Sequence, residues 1–177
     1  MLNRILTITF ALFMCSSVSA ERLLDAMPRT MQAQNFTLPY STTGEFTLDE
    51  FKGHFTIVNF WSTKCVVCRG ELSLFEDLKK QLGKDDITLN VVAIHAGDDV
   101  DGVNEQIKVS PVSYAVVMDM DLQLGHWSIP TLPTTYILTP EGNFAYRAIG
   151  TRMWNSPQMI DFLKQIFDDY EQNKESS

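Results

Sequence analysis

Cysteine is scarce in this chain: three residues in 177, at positions 15, 65 and 68. A disulfide-stapled scaffold needs more. A structural zinc site needs four ligands, and the three histidines, His54, His95 and His126, show no paired ligand spacing. Basic residues are also in deficit, 14 Lys and Arg against 22 Asp and Glu, for a net charge of −8. That balance argues against nucleic acid or an anionic membrane surface as the main partner, because both attract basic faces. Long apolar runs are missing: none reaches the roughly 20 residues of a comfortable membrane span. No internal repeat or low-complexity tract occurs. What is left is an ordinary globular composition, 45% hydrophobic and 20% charged, in a length that favours one domain with a sizeable core.

The first twenty residues read differently from the rest. Arg4 gives a positive start, residues 5–14 are apolar, and Val18, Ser19 and Ala20 close with small side chains. This is the layout of a secretory signal peptide cleaved after Ala20, with an uncleaved anchor as the alternative. Cleavage removes Cys15 and leaves Cys65 and Cys68 alone in an oxidising compartment. A bridge over so short a loop adds little stability, so a structural staple is a weak reason for the pair.

A lead-in at 21–34 precedes two short extended pieces, at 35–39 and 44–48. Residues 55–61 (FTIVNFW) form a continuous apolar run, as expected of a strand buried on both faces. Leu72, Phe75, Leu78 and Leu82 recur at helical spacing, which predicts a helix over about 65–82 with Gly83 as its stop. Strands follow at 87–95 and 114–118, separated by a helix at 101–110 that Pro111 ends. A hairpin spans 134–138 and 144–149 across Pro140-Glu141-Gly142-Asn143. Ser156 and Pro157 open a last helix, with Met159, Ile160, Leu163, Ile166, Phe167 and Tyr170 on one face. The tail at 171–177 is expected to fray. This order predicts an α/β domain over 35–170, with a central mixed sheet and helices on both of its faces.

Cys65 and Cys68 stand where the first long strand runs into a helix. A thiol at a helix N-terminus meets unsatisfied N–H groups and the positive end of the dipole, which stabilise its thiolate. Cys68 lies one turn further in. The pair is therefore suited to thiol–disulfide exchange: Cys65 attacks, and Cys68 resolves the mixed disulfide. Arg69 directly after Cys68 excludes c-type haem attachment, which needs histidine there. An inert pair of cysteines is the bland alternative.

The motifs NFTLP at 35–39, LDEFKG at 48–53, NFW-x3-CxxC-R-x-E at 59–71, LPTTYIL at 132–138 and PEG at 140–142 resemble the thioredoxin superfamily. Within it they are most similar to the exported TlpA/ResA-type thiol-disulfide oxidoreductases. The resemblance implies a thioredoxin-like fold, with Cys65 as nucleophile and Cys68 as resolving thiol. It implies that Pro133 is a cis-proline facing them, with the Leu132 backbone ready to pair with an extended substrate. Glu71 matches an acid near the cysteines and is either a proton carrier for Cys68 or a helix-dipole residue. Asn59 stands where thioredoxins proper have a buried aspartate. Trp61, at the strand end, joins Lys64 and Leu132 as expected substrate contacts. Lys64 replaces a tryptophan, Val66-Val67 replaces a dipeptide ending in proline, and Ser73 replaces a proline, so the redox potential cannot be copied from relatives.

By the same resemblance the protein is expected to be a periplasmic disulfide reductase acting on a substrate protein, monomeric, without cofactor or metal. Its reductant would be a membrane protein of the DsbD or CcdA kind, and its targets apocytochrome or copper-protein thiols, or damaged disulfides. The alternatives are a thiol oxidase or isomerase and a copper-delivery chaperone that uses the same cysteines. If the roles are as stated, alkylation of the reduced protein labels Cys65 before Cys68, as peptide mapping after a short pulse would show.

Overall fold

The computed structural model describes residues 23–175. The leader expected at 1–20, Cys15 included, lies outside them. In chain order the strands are β1 (Asp25–Ala26), β2 (Thr37–Pro39), β3 (Glu45–Thr47), β4 (Thr56–Trp61), β5 (Asn90–Ala96), β6 (Ala115–Asp119), β7 (Thr134–Leu138) and β8 (Phe144–Ile149). The helices are α1 (Val66–Gly83), α2 (Val100–Val109) and α3 (Pro157–Glu175).

Six strands form one sheet in the order β1-β8-β7-β4-β5-β6, and β2 and β3 make a separate hairpin. β4, β5 and β6 run parallel, while β7 and β8 pair antiparallel beside β4. The apolar run read from the sequence is the sheet's centre: every residue of β4 is buried. Mixed α/β architecture with a central mixed sheet and flanking helices is what the sequence leads one to expect.

The helices lie differently from that expectation. Ile57, Trp61, Val91, Ala93, Val116, Met118, Ile137 and Ala148 pack in one cluster with the buried faces of α1 and α3 and with Val103 of α2. The opposite face, with Val58, Phe60, Val92, Ile94, Val117 and Tyr136, is covered by Leu38 and Phe46 of the β2–β3 hairpin and by Trp127. The three helices thus share one face. A hairpin and short 3-10 turns at Leu48–Phe51 and Gln123–Trp127 seal the other.

Both ends of the described residues carry structure that the sequence pattern does not announce. The lead-in supplies β1, whose Asp25 and Ala26 pair with Arg147 and Tyr146, and it buries Leu24 and Ala33. It caps the open edge of β8, whose backbone groups would otherwise lack partners. At the other end α3 continues past Tyr170 to Glu175. Tyr170 packs on Phe55 at 5.1 Å and its hydroxyl donates to Glu141, and Lys174 pairs with the same carboxylate at 3.6 Å. No glycine or proline interrupts that stretch. At the end of α1 the left-handed residue is Asp86 (φ 59°) rather than Gly83, since aspartate also tolerates that conformation.

The fully buried face of α1 carries much of the core: Cys68, Leu72, Phe75, Leu78 and Leu82 are all 0% exposed. Leu78→Ala should cost about 2–5 kcal/mol through lost burial and the cavity left behind. A urea unfolding curve with an unchanged slope would measure it.

Candidate active site

β4 ends at Trp61, and the chain turns at once into α1. Within the turn the Cys65 N–H donates to the Ser62 carbonyl at 3.0 Å and the Lys64 N–H to the Ser62 hydroxyl at 3.3 Å. Cys65 is the N-cap of α1, in extended conformation, and its Sγ accepts from the Cys68 N–H at 3.2 Å. Sulfur therefore takes the place that a serine or aspartate oxygen fills at most helix starts. Cys65 and Cys68 are joined as a disulfide, with Cα atoms 5.3 Å apart. Cys65 is half-buried and Cys68 fully buried. Val66 and Val67, between them, are 71% and 58% exposed.

The cis peptide bond falls at Leu132-Pro133, as the resemblance implied. Just before β7, it leaves the Leu132 carbonyl 3.9 Å from Cys65 Sγ. Thr134 Oγ1 donates to the Thr131 carbonyl at 2.7 Å and the Gly150 N–H to the Pro133 carbonyl at 2.9 Å, so the loop is held on both sides. Leu132 is half-buried and Lys64 exposed. Lys64, Thr63 and Arg69 line an open groove whose far wall is Asp99, Gly102, Glu105, Gln106 and Val109.

Trp61 is not among the exposed residues. It is 0% exposed, beneath the turn, so it supports the site from below and offers no surface to a substrate. The alternation of β4 explains this: Ile57, Asn59 and Trp61 point to the helix-covered face.

Glu71 is one helical turn beyond Cys68 and only 2% exposed. Its Oε1 accepts from the Arg152 backbone N–H at 2.7 Å and the Trp154 indole N–H at 3.0 Å, while Oε2 has no partner. Burial pushes its pKa up to about 7, against the pull of those two donors and the Arg152 charge. A helix-dipole glutamate would sit in solvent at the first turn, so the buried position favours the proton-handling alternative. Asn59, also fully buried, donates through Nδ2 to Thr135 Oγ1 at 2.9 Å.

Sequence reasoning missed three contributors. Trp154 and Arg152 hold Glu71 from 83 and 81 residues away, and no local pattern signals that. The third is His95, at the end of β5. It is 1% exposed, accepts from the Thr63 N–H at 3.1 Å, and sets its ring edge-on to Trp61 at 5.2 Å. Its one visible sign was a histidine closing an otherwise apolar strand. Among the described residues no group of three or more His, Cys, Asp and Glu side chains could hold a metal ion.

The model of the AhpC/TSA family matches residues 30–147. The thiol-disulfide oxidoreductase ResA of Bacillus subtilis is 30% identical over 120 residues, 67% of this chain and 66% of that protein, just under two thirds of its length. Sporulation thiol-disulfide oxidoreductase A of the same organism is 29% identical over 56% of this chain and 61% of its own. Among solved structures, a thiol:disulfide interchange protein of the thioredoxin family from Chlorobium tepidum superposes with a TM-score of 0.64 at 22% identity. It covers 78% of this chain and 97% of that one. The fold is thioredoxin-like.

Because the Glu71 carboxyl keeps its proton to about pH 7 in the folded chain and only to the ordinary glutamate value of 4.5 in the unfolded one, the folded state binds the extra proton in between. Stability of the oxidised protein should therefore fall as pH rises from about 4.5 to 7, and Glu71→Gln should flatten that fall. Trp154→Phe removes a donor to the carboxylate and should extend the fall to higher pH without moving its onset. Urea unfolding across that range checks both.

Proposed function

This chain belongs to the AhpC/TSA family, and from that premise we propose that it is an exported thiol-disulfide oxidoreductase that reduces protein disulfides through Cys65 and Cys68. One observation carries the reading. A half-exposed cysteine caps α1, bridged to a buried cysteine one turn on, and faces the Leu132 carbonyl at the cis-proline loop.

In the reduced protein the N–H groups of the first turn of α1 favour the Cys65 thiolate. The thiolate attacks one sulfur of a substrate disulfide. A bond forms to Cys65 Sγ, the substrate S–S bond breaks, and one substrate thiolate leaves. Cys68 then gives its proton to Glu71 and attacks Cys65 Sγ. The second substrate thiolate departs, and the enzyme is left with the Cys65–Cys68 bridge. Two electrons have passed to the substrate, and two more must come from a reductant to restore the dithiol.

Glu71 suits its part because a carboxyl titrating at about 7 both takes and returns a proton near neutrality. Pro133 and Leu132 would align an extended substrate backbone beside the sulfurs, and Lys64 would meet its flanking residues. The reductant would be a membrane protein of the DsbD or CcdA kind, and the place of work the periplasm, reached through the leader at 1–20. Among the described residues no helix is long and apolar enough to cross a membrane.

Lys64 favours a second reading. An exposed cation next to Cys65 stabilises its thiolate, and a more stable reduced form makes a stronger oxidant, hence a thiol oxidase or isomerase. The reduction potential of the Cys65–Cys68 pair, measured against glutathione, separates the two. The reductase reading expects a value well below about −200 mV. One near −120 mV, the range of strong oxidases, would overturn it. Stoichiometric copper binding by the reduced chain, with no reduction of insulin disulfides, would instead support the copper-delivery alternative.

A further inference from the structure

His95 takes no part in the exchange just described, yet it is built into the turn that carries Cys65. Its two ring nitrogens have different surroundings. Nδ1 lies 3.2 Å from the Gly97 carbonyl, an acceptor only, so Nδ1 bears the hydrogen. Gly97 has φ 114°, a conformation glycine adopts freely, and the bend there brings its carbonyl back to the ring. Nε2 must then be bare, and it accepts from the Thr63 N–H at 3.1 Å. The Thr63 hydroxyl lies 3.3 Å from the same Nε2 but spends its own proton on Asp99 Oδ2 at 2.5 Å. Asp99 in turn caps α2, accepting from the Gly102 N–H at 3.1 Å.

We propose that His95 is a positioning residue for the redox turn: its bare Nε2 anchors the backbone two residues ahead of Cys65, and a proton on Nε2 releases that anchor. Once Nε2 carries a hydrogen, it and the Thr63 N–H are both donors and repel. The Thr63 hydroxyl, its lone pairs turned toward the ring, becomes the acceptor instead. The turn at 62–65 then exchanges its backbone contact with β5 for one through the Thr63 side chain, and the N-cap geometry that stabilises the Cys65 thiolate loosens with it. The charged groups around the ring are Asp98 and Asp99 ahead of α2 and Lys64 in the turn itself. Burial opposes the imidazolium most strongly, Lys64 opposes it too, and the Gly97 carbonyl, Asp99 and Asp98 favour it. On β6, Met118 is the residue beside His95, and Asp119 accepts from the N–H groups of Gln123 and Leu124. The balance holds the ring neutral to below its ordinary 6.5, so release belongs to acid conditions.

The inference rests on the redox reading of Cys65, but its readouts do not require the pair to reduce anything, so the two fail separately. Ring nitrogen shifts of His95 in the reduced full-length protein at pH 7.5 should show hydrogen on Nδ1 and a bare Nε2. A hydrogen on Nε2 would overturn the proposal. The alkylation rate of Cys65 against pH should show an acid step that follows the His95 titration. His95→Gln, whose amide oxygen can replace the Nε2 acceptor but cannot be protonated, should match the parent at pH 7.5 within about twofold and lack that step. His95→Leu should be several-fold slower at pH 7.5. A step that survives in His95→Gln, or a His95→Leu profile that overlays the parent, would refute the anchor. Should the leucine variant fail to fold, Thr63→Ala keeps the ring and the N–H anchor while removing the hydroxyl that accepts from the imidazolium. The acid step should then move to lower pH, and an unmoved step counts against the proposal.

Discussion

A helix start leaves its first N–H groups without partners, and here a sulfur answers one of them. Cys65 Sγ accepts from the Cys68 N–H at 3.2 Å, so the atom that caps α1 is also one sulfur of the disulfide. Everything else at the site follows from keeping that sulfur at the junction of β4 and α1. β4 is buried along its whole length and hydrogen-bonded on both sides, which fixes where the strand stops. The buried face of α1, packed against α3 and the sheet, fixes where the helix begins.

Around this junction the protein buries polar groups that a purely structural core would avoid. Glu71, Asn59 and His95 are nearly or fully hidden on the helix-covered face. Each is only partly satisfied or depends on one protonation state. Glu71 has two donors on Oε1 and none on Oε2, and Asn59 Oδ1 has no partner. An unpaired buried polar atom costs about 1–3 kcal/mol. Glu71 sits close to the disulfide along the chain, and His95 through its hydrogen bond to the turn that carries it, and the surrounding core must bear that cost.

Much of this was legible in the residues. FTIVNFW announced the central strand, and the spacing of Leu72, Phe75, Leu78 and Leu82 announced α1. CxxC at their junction placed both sulfurs at a helix start. The role of Pro133 came from the resemblance of LPTT alone, since proline at a strand start has ordinary explanations. Trp61 was misjudged because a large aromatic beside a reactive cysteine suggests contact with substrate. Strand alternation turns it inward instead. β1 and the helical stretch from Tyr170 to Glu175 escape such a reading because two-residue strands and charged helix ends carry little periodic signal.

The sequence by itself determined the order of the long strands and helices and the place of both cysteines at the start of α1, because these depend on neighbours within one or two turns of chain. Only the tertiary structure decided that all three helices share one face, that Trp154 and Arg152 close over Glu71, and that His95 grips the Thr63 backbone. Those contacts join residues 32 to 83 positions apart. Their existence depends on strand order and packing, and such distances leave no periodic trace in a linear sequence.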